Sequence, residues 1–382
     1  MRKLPYARVA LVLQGGGALG SYQAGVLEGL EEAGIEPNWV AGISIGALNT
    51  AIIAGNPPGR RVDKLRAFWD EICQPAYFAP VPSAMLDFIS HSQGDIRRAF
   101  SAFDAMRALV EGQRGFFVPR VPPAMLIQHK DPSTTSYYDT RPLKATLEKY
   151  ADFDRINAGE IRVSIGAVNV RNGNFAYFDN TDPRTGPLRP EHFMASGALP
   201  VGFPAIEIDG EFYWDGGLVS NTPLAQVLSA EPRLDTLAFQ VDLWSAVGVL
   251  PVNLNDVQER QKDIQFSSRT RLVTDIFRES QRKRRLLREV LRHVPQEVRE
   301  RDPWCQRAEE VACARRYNVV HLIYRDKEYE GQYKDYEFGL ATMHTHWESG
   351  LEDIRKTLAH PEWLELPPGG AEFVTHDIHR HR

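Results

Sequence analysis

The residues best suited to bond-making chemistry are Ser44 and Asp215, and glycines flank both. Ser44 is the centre of Gly42-Ile43-Ser44-Ile45-Gly46, a Gly-x-Ser-x-Gly pattern. A short apolar run, Trp39 to Ala41, precedes it and reads as a buried strand; Ile45 to Ala54 follows and reads as a helix. A serine on so tight a strand-to-helix turn has its hydroxyl pushed out of the sheet edge. Gly42 and Gly46 leave room for the chain to fold back on both sides. The helix N-terminus then directs free N–H groups at any negative charge that develops there. The predicted chemistry is nucleophilic attack by Ser44. The five-residue pattern also occurs in plain turns, so the reading depends on the rest of the chain.

Asp215 leaves an aromatic strand, Phe212-Tyr213-Trp214, onto the double-glycine turn Gly216-Gly217. A carboxylate held at such a corner suits a general base that must reach a serine hydroxyl. Asp-Gly alone is most often a turn. A third segment, Gln14-Gly15-Gly16-Gly17-Ala18-Leu19-Gly20, ends an apolar strand and opens a helix. Gly15, Gly17 and Gly20 satisfy the dinucleotide pattern Gly-x-Gly-x-x-Gly, and a nucleotide-binding oxidoreductase is one alternative. That pattern wants an acidic residue closing the second strand, where this chain has Gly42-Ile43-Ser44. The better reading is an oxyanion hole, with the N–H groups of Gly15, Gly16 and Gly17 as candidate donors. A Ser-His-Asp hydrolase with His192 or His321 as base is the other enzymatic alternative. The chemistry needs no metal or cofactor, and no ligand cluster is visible; His344 and His346 do not share a helical face.

The elements that must position these residues follow from the pattern around them. Val9 to Leu13 is a continuous apolar run, as in a central parallel strand, and the first strand is read over Ala7 to Leu13. The basic start, Met1-Arg2-Lys3, is read as leading into that strand and not as a signal peptide, because Arg8 interrupts the run. A helix over Ser21 to Ala33, stopped by Gly34, then gives a βαβα opening and an α/β sheet. Further strands are expected at Ile161–Val170, Asn174–Asp179, Leu234–Leu243 and Val319–Tyr324. Helices are expected at Val62–Ile72, Thr140–Tyr150, His192–Leu199 and Thr342–Leu358. Asn169 points into the site or caps a turn. An insertion at about 73–135 is rich in proline and apolar residues, among them Tyr77, Phe78, Met85, Phe88, Phe103, Phe116, Phe117 and Met125. It is read as a lid or acyl-binding wall above the serine, or as a satellite core. Residues 255 to 316 are arginine-rich and helical, and Leu287, Val290, Leu291 and Val294 share one face. That basic amphipathic helix suits peripheral contact with an anionic membrane, or a solvated face. The tail around His376, His379 and His381 is expected to lack regular structure.

At 382 residues the chain can bury a full core in one large domain or two moderate ones. A net charge of −5 gives no reason to expect nucleic acid. Cys73, Cys305 and Cys313 are too few and scattered for a disulfide framework, which is consistent with a reducing, cytoplasmic location. The expected division is a catalytic domain over 1–250 and a mostly helical extension over 251–382 packed on it.

Taken together, Gly15 to Gly20, Gly42 to Gly46, Ala195-Ser196-Gly197-Ala198-Leu199-Pro200 and Asp215-Gly216-Gly217 resemble the patatin-like phospholipase family in order and spacing. The resemblance spans roughly Ala7 to Leu243, and the last third looks like the extension of a bacterial subgroup. It implies a three-layer α/β/α fold with a mostly parallel central sheet. It also implies a Ser44–Asp215 dyad without catalytic histidine, and hydrolysis of lipid acyl esters. Leu19 stands where family members often carry Arg or Lys, which weakens any preference for phosphorylated head groups.

Overall fold

A computed structural model of the protein describes residues 3–75, 82–126, 131–268 and 270–378. The first half of the chain runs β1 (Arg8–Leu13), α1 (Ser21–Glu32), β2 (Trp39–Ile43), α2 (Ile45–Ala54) and α3 (Arg61–Ile72). The insertion supplies α4 (Ser83–His91), α5 (Gly94–Glu111) and the short strand β3 (Val118–Pro119). Then come β4 (Tyr138–Asp139), α6 (Arg141–Tyr150), α7 (Phe153–Ala158), β5 (Arg162–Asn169), β6 (Phe175–Asp179), α8 (Pro190–Ser196), β7 (Ile206–Ile208) and β8 (Glu211–Asp215). The remainder is α9 (Leu224–Ser229), β9 (Thr236–Asp242), α10 (Leu254–Phe266), α11 (Thr270–Arg292), α12 (Gln296–Arg301), α13 (Pro303–Val311), β10 (Tyr317–Ile323), α14 (Leu340–Leu358) and β11 (Phe373–Asp377).

Among the described residues, nine strands form one sheet in the order β11-β10-β9-β1-β2-β5-β8-β7, with β6 also paired to β5. From β11 to β5 all pairings are parallel; β6, β7 and β8 pair antiparallel. The apolar run of β1 has no polar alternation because both of its faces are covered. Val9, Leu11 and Leu13 enter one buried cluster, and Ala10 and Val12 enter the other. Helices α1, α2 and α3 supply residues to the first cluster, and α9 to the second. The result is the α/β/α sandwich that the sequence predicts.

The sheet crosses the boundary expected near residue 250. Strand β10 lies in register beside β9, from Tyr317 opposite Thr236 to Ile323 opposite Asp242. Helix α14 lies against α1 so closely that a Cβ on Gly25 would sit 1.9 Å from the Trp347 carbonyl oxygen, and one on Gly350 would sit 2.0 Å from that of Tyr22. Reciprocal glycines bring the two backbones together, so α14 has the same place in the fold as any helix of the first half.

Two expectations for the C-terminal part need correction. His376 is not in an unstructured tail: it lies in β11, opposite Val320 of β10. The ring of Trp363 stacks between His360 and His376, covering the strand. His379 and His381 lie outside the described residues. Along α11, Leu291 is buried, Leu287 half-covered and Val290 exposed, while Val294 lies beyond the helix end, so the four do not form one exposed apolar face.

Candidate active site

Ser44 joins β2 to α2 with φ 54° and ψ −124°, a conformation that L side chains rarely adopt. The flanking glycines are forced by close approach. A Cβ on Gly42 would lie 2.3 Å from the Gly46 carbonyl oxygen, and one on Gly46 would lie 2.4 Å from that of Leu13. The Ser44 N–H donates to Ser196 Oγ at 3.0 Å, and the Ser196 hydroxyl donates to the Gly166 carbonyl at 2.6 Å. Helix α8 therefore pins the strained turn to β5. Ser44 itself is half-buried and faces the cleft.

Asp215 ends β8, opposite Ala167 of β5. The Gly217 N–H donates to its Oδ1 at 2.7 Å. The side chain is almost fully buried. Burial pushes its pKa up to about 7, against the opposing pull of the nearby Ser44 hydroxyl and the Gly217 N–H. Ser44 and Asp215, 171 positions apart in sequence, thus line one cleft.

The glycine loop lies over this pair: a Cβ on Gly15 would be 2.9 Å from Ser44 Cβ. Gly15 is not a free donor, contrary to expectation. Its N–H is spent on the Asn221 carbonyl at 3.2 Å. Among the described residues, the N–H groups of Gly16 and Gly17 have no acceptor. Gly17 has φ +56°, and a Cβ there would lie 2.0 Å from the Asp335 carbonyl oxygen, which already accepts from Ala18 N–H at 2.8 Å. Gly20 is equally crowded, against Ile45 and Trp69. Leu19 is buried in the core and does not line the cleft.

Three supports of this loop have no counterpart in the sequence reading. Asn221 Nδ2 donates to the Gly15 carbonyl at 2.9 Å and to the Phe266 carbonyl at 2.8 Å. Trp244 Nε1 donates to the same Gly15 carbonyl at 2.9 Å. Gln14 Oε1 accepts from the Leu243 and Trp244 N–H groups at 2.6 and 3.0 Å, and its Nε2 donates to Thr222 Oγ1 at 2.8 Å. Gln14 immediately precedes the first glycine and Asn221 follows the Asp-Gly-Gly turn, so adjacency was the available signal.

Above the pair opens a cavity of about 210 Å³. Its apolar wall is an aromatic cluster of Phe116, Phe117, Phe203 and Phe338, with ring centroids 5.1–6.3 Å apart. The insertion therefore supplies part of the wall through Phe116 and Phe117. Met85, Phe88, Phe103 and Met125 belong neither to the wall nor to a satellite core: they are exposed. Tyr77 and Phe78 lie outside the described residues. Phe266, Tyr336 and Phe338, from beyond residue 250, complete the lining.

The histidine alternatives fall away from the cleft. His192 is fully buried at the start of α8, where its Nδ1 accepts from the Arg189 N–H at 2.9 Å, and burial lowers its pKa. His321 pairs with Asp242 at 2.6 Å. Neither lines the cavity. Asn169 caps a turn, accepting from the Arg171 and Asn172 N–H groups. Glu259, Asp263 and Asp326 converge closely enough to hold a cation. The Lys334 ammonium occupies that position, 2.8 Å from Asp263 and 2.9 Å from Asp326.

Residues 11–228 match the family described as patatin-like phospholipase, and residues 264–369 match one described as patatin phospholipase. Lysophospholipase nte1 of Aspergillus terreus is 53% identical over 53 residues, 14% of this chain; the match spans only 4% of that protein's length. VipD from Legionella pneumophila aligns with 16% identity and a TM-score of 0.33, over 90% of this chain and 67% of that one. Human GIVD cytosolic phospholipase A2 aligns with 13% identity and a TM-score of 0.31, over 61% of this chain and 42% of that one. Because the first match alone takes in more than half of the sequence, the chain belongs to the patatin-like phospholipase family.

Proposed function

We propose that the protein hydrolyses acyl esters of lipids, with Ser44 as nucleophile and Asp215 as its base. The carrying observation is that Ser44 and Asp215 line one apolar cleft, close enough for the serine hydroxyl to act on the carboxylate, beside two N–H groups that have no acceptor among the described residues. As Ser44 Oγ attacks the ester carbonyl, its proton passes to the Asp215 carboxylate. The tetrahedral oxyanion is held by the N–H groups of Gly16 and Gly17. Collapse expels the alcohol, which takes the proton from Asp215 and leaves the acyl group on Ser44. Water then gives a proton to Asp215 as its oxygen attacks the acyl-enzyme, and collapse releases the acid as Asp215 returns that proton to Ser44 Oγ.

A carboxylate with a pKa near 7 suits both halves of this cycle, since it can accept and return a proton at neutral pH. The helix beginning at Ile45 and the loop N–H groups favour developing negative charge without reorganising. The aromatic wall suits an acyl chain, and the family match supports a lipid substrate. No residue of the wall sets a particular acyl length or head group. The test is labelling with a fluorophosphonate, mapping of the modified residue by mass spectrometry, and an ester panel of graded chain length. Modification at Ser44 and cleavage of acyl esters are expected. A label on any other residue, or turnover that survives Ser44→Ala, sinks the proposal.

A further inference from the structure

Helix α5 is inside out. Its buried positions are Arg97, Ser101, Ala105 and Ala108, which recur at helical spacing and are small or polar. Its exposed positions include Ile96, Phe103, Met106, Leu109 and Val110, with Phe103 and Val110 both 66% exposed. An ordinary surface helix does the reverse. Arg97, Asp104 and Arg107 are turned in, whereas Asp95 and Arg98 at the start of the helix are exposed. Asp104 and Arg107 pair at 3.2 Å with little exposure, and the Arg97 guanidinium is buried over the Tyr329 ring while donating to Thr342 Oγ1 at 2.9 Å. From Ala99 to Val110 every exposed position is uncharged. The apolar surface extends onto α4, where Phe88 meets Phe100 edge-on.

This surface is continuous with the mouth of the cleft. Leu109 lines the cavity and is also 44% exposed on the outer side of α5. The Tyr138 hydroxyl donates to the Leu109 carbonyl at 2.7 Å, which brings the β3–β4 pair alongside, and beyond β3 stands the exposed Val121. Val201, whose carbonyl accepts from the Tyr137 N–H at 3.2 Å, is exposed between the cavity-lining Pro200 and Gly202. In sequence the apolar stretch is bracketed by charged positions, Arg98 with its partner Asp95 at 3.5 Å on one side and exposed Arg114 on the other. A hydrocarbon face bounded by polar groups matches a layer whose interior is acyl chain and whose boundary is head group.

We infer that the outward face of α5, with α4 and the cleft rim, docks on the surface of aggregated phospholipid, so that an acyl ester passes from that surface into the cleft past Leu109. This rests on the reading of the cleft as a lipid acyl site. A contiguous apolar patch at the mouth of an apolar pocket removes the step of drawing a lipid fully into water. The α5 face, and not basic α11, is then the membrane-contacting element.

The test compares the wild-type chain with Phe103→Glu/Met106→Glu, two exposed positions that do not line the cavity, and with Phe103→Ala/Met106→Ala as a milder pair. Three quantities are read: co-sedimentation with phosphatidylcholine–phosphatidylglycerol vesicles, hydrolysis of a soluble short-chain p-nitrophenyl ester, and hydrolysis of the vesicle lipid. Wild-type is expected to sediment with vesicles. The glutamate pair should lose that binding by about tenfold or more, the alanine pair by less, since charge at the interface opposes insertion. Cleavage of the soluble ester should stay unchanged while cleavage of vesicle lipid falls in step with binding. Equal sedimentation of wild-type and the glutamate pair, or none by wild-type, overturns the inference. So does a wild-type dimer that the glutamate pair dissolves without change in vesicle binding, since the face would then meet a second copy. Wild-type that binds vesicles through this face yet cleaves neither ester leaves the docking inference standing and refutes the hydrolase reading instead.

Discussion

The segments carrying the serine, the aspartate and the glycine loop differ in construction from the part of the chain beyond residue 250. The former are short and rich in glycine, turned by local bonds such as Gly217 N–H to Asp215 and each pinned at a few points, such as Ser44 N–H to Ser196. The latter is defined by contacts across the whole chain: β10 on β9, α14 on α1, the Phe266 carbonyl on Asn221, and the Asp335 carbonyl on Ala18. The early segments carry Ser44 and Asp215, whereas the late ones hold the glycine loop in place through Phe266, Trp244 and Asp335. Changes in the two regions should therefore fail differently, one losing chemistry in an intact fold and the other losing the fold's rigidity first.

The largest expected effect is on chemistry. Ser44→Ala should lower turnover by about 10³-fold or more with no loss of secondary structure, measured by ester assay and circular dichroism. Turnover by the unaltered chain should rise with pH through about 7, because Asp215 must be ionised to take the serine proton. Stability runs the other way. The native pKa of Asp215 lies above its unfolded value, so its favourable contribution is complete below about pH 4 and is lost as pH rises through about 7. Asp215→Asn should be inactive yet more stable at pH 8, by on the order of 4 kcal/mol at most. An active Asp215→Asn, or one less stable at pH 8, would contradict the assigned role.

In the late region the sharpest test is Lys334→Met. The ammonium is buried among Asp263, Asp326 and Glu259, and it lies 5.2 Å over the Trp244 ring, whose Nε1 holds the Gly15 carbonyl. Removing it leaves acidic side chains facing each other without a counter-charge, at a cost of about 3–5 kcal/mol. Chemical denaturation should show that loss, and turnover should fall only as folded protein is lost. A Lys334→Met variant with an unchanged unfolding midpoint would show that the two regions are not coupled as described.

Gly17→Ala lies on the seam between them. The new Cβ would meet the Asp335 carbonyl oxygen at 2.0 Å, on a backbone with φ +56°. The loop must move, which misaligns the Gly16 and Gly17 N–H groups. Loss of oxyanion donors costs about 2.7–4 kcal/mol of transition-state stabilisation, so kcat should fall about 10²–10³-fold with KM little changed. If KM rises and kcat holds, the loop binds substrate and does not stabilise charge.

The sequence was most readable where function rests on local backbone geometry. Gly42, Gly46, Gly216 and Gly217 mark tight turns whatever lies around them, and the strands and helices beside Ser44 fall close to their expected limits. It was least readable where a polar side chain is bonded to a distant backbone. Ser196, Asn221 and Gln14 carry no pattern that names Ser44 N–H, Phe266 O or Leu243 N–H as their partners. Gly15 fits the oxyanion pattern in sequence, yet its N–H is consumed by Asn221. Apolar content misled in α5 for a related reason: Phe103 was expected to be wall or core, but hydrophobicity alone does not say which partner, protein or otherwise, a face is turned towards.

The smallest expected effect separates a conspicuous charge run from a consequential one. Among the described residues, Arg282 and Lys283 on α11 are largely exposed and paired only with Glu279 of the same helix, at 4.0 and 3.7 Å. Exposed pairs at this spacing contribute little, so Arg282→Ala/Lys283→Ala should shift stability by less than about 0.5 kcal/mol. Its neighbour Arg285 is different, because it bonds Glu372 just before β11 and so ties α11 to the sheet edge. Arg285→Ala should therefore cost more than the double change beside it, read as a larger drop in melting temperature. If instead Arg282→Ala/Lys283→Ala abolishes vesicle binding while Phe103→Glu/Met106→Glu does not, the basic helix is the docking element and α5 is not.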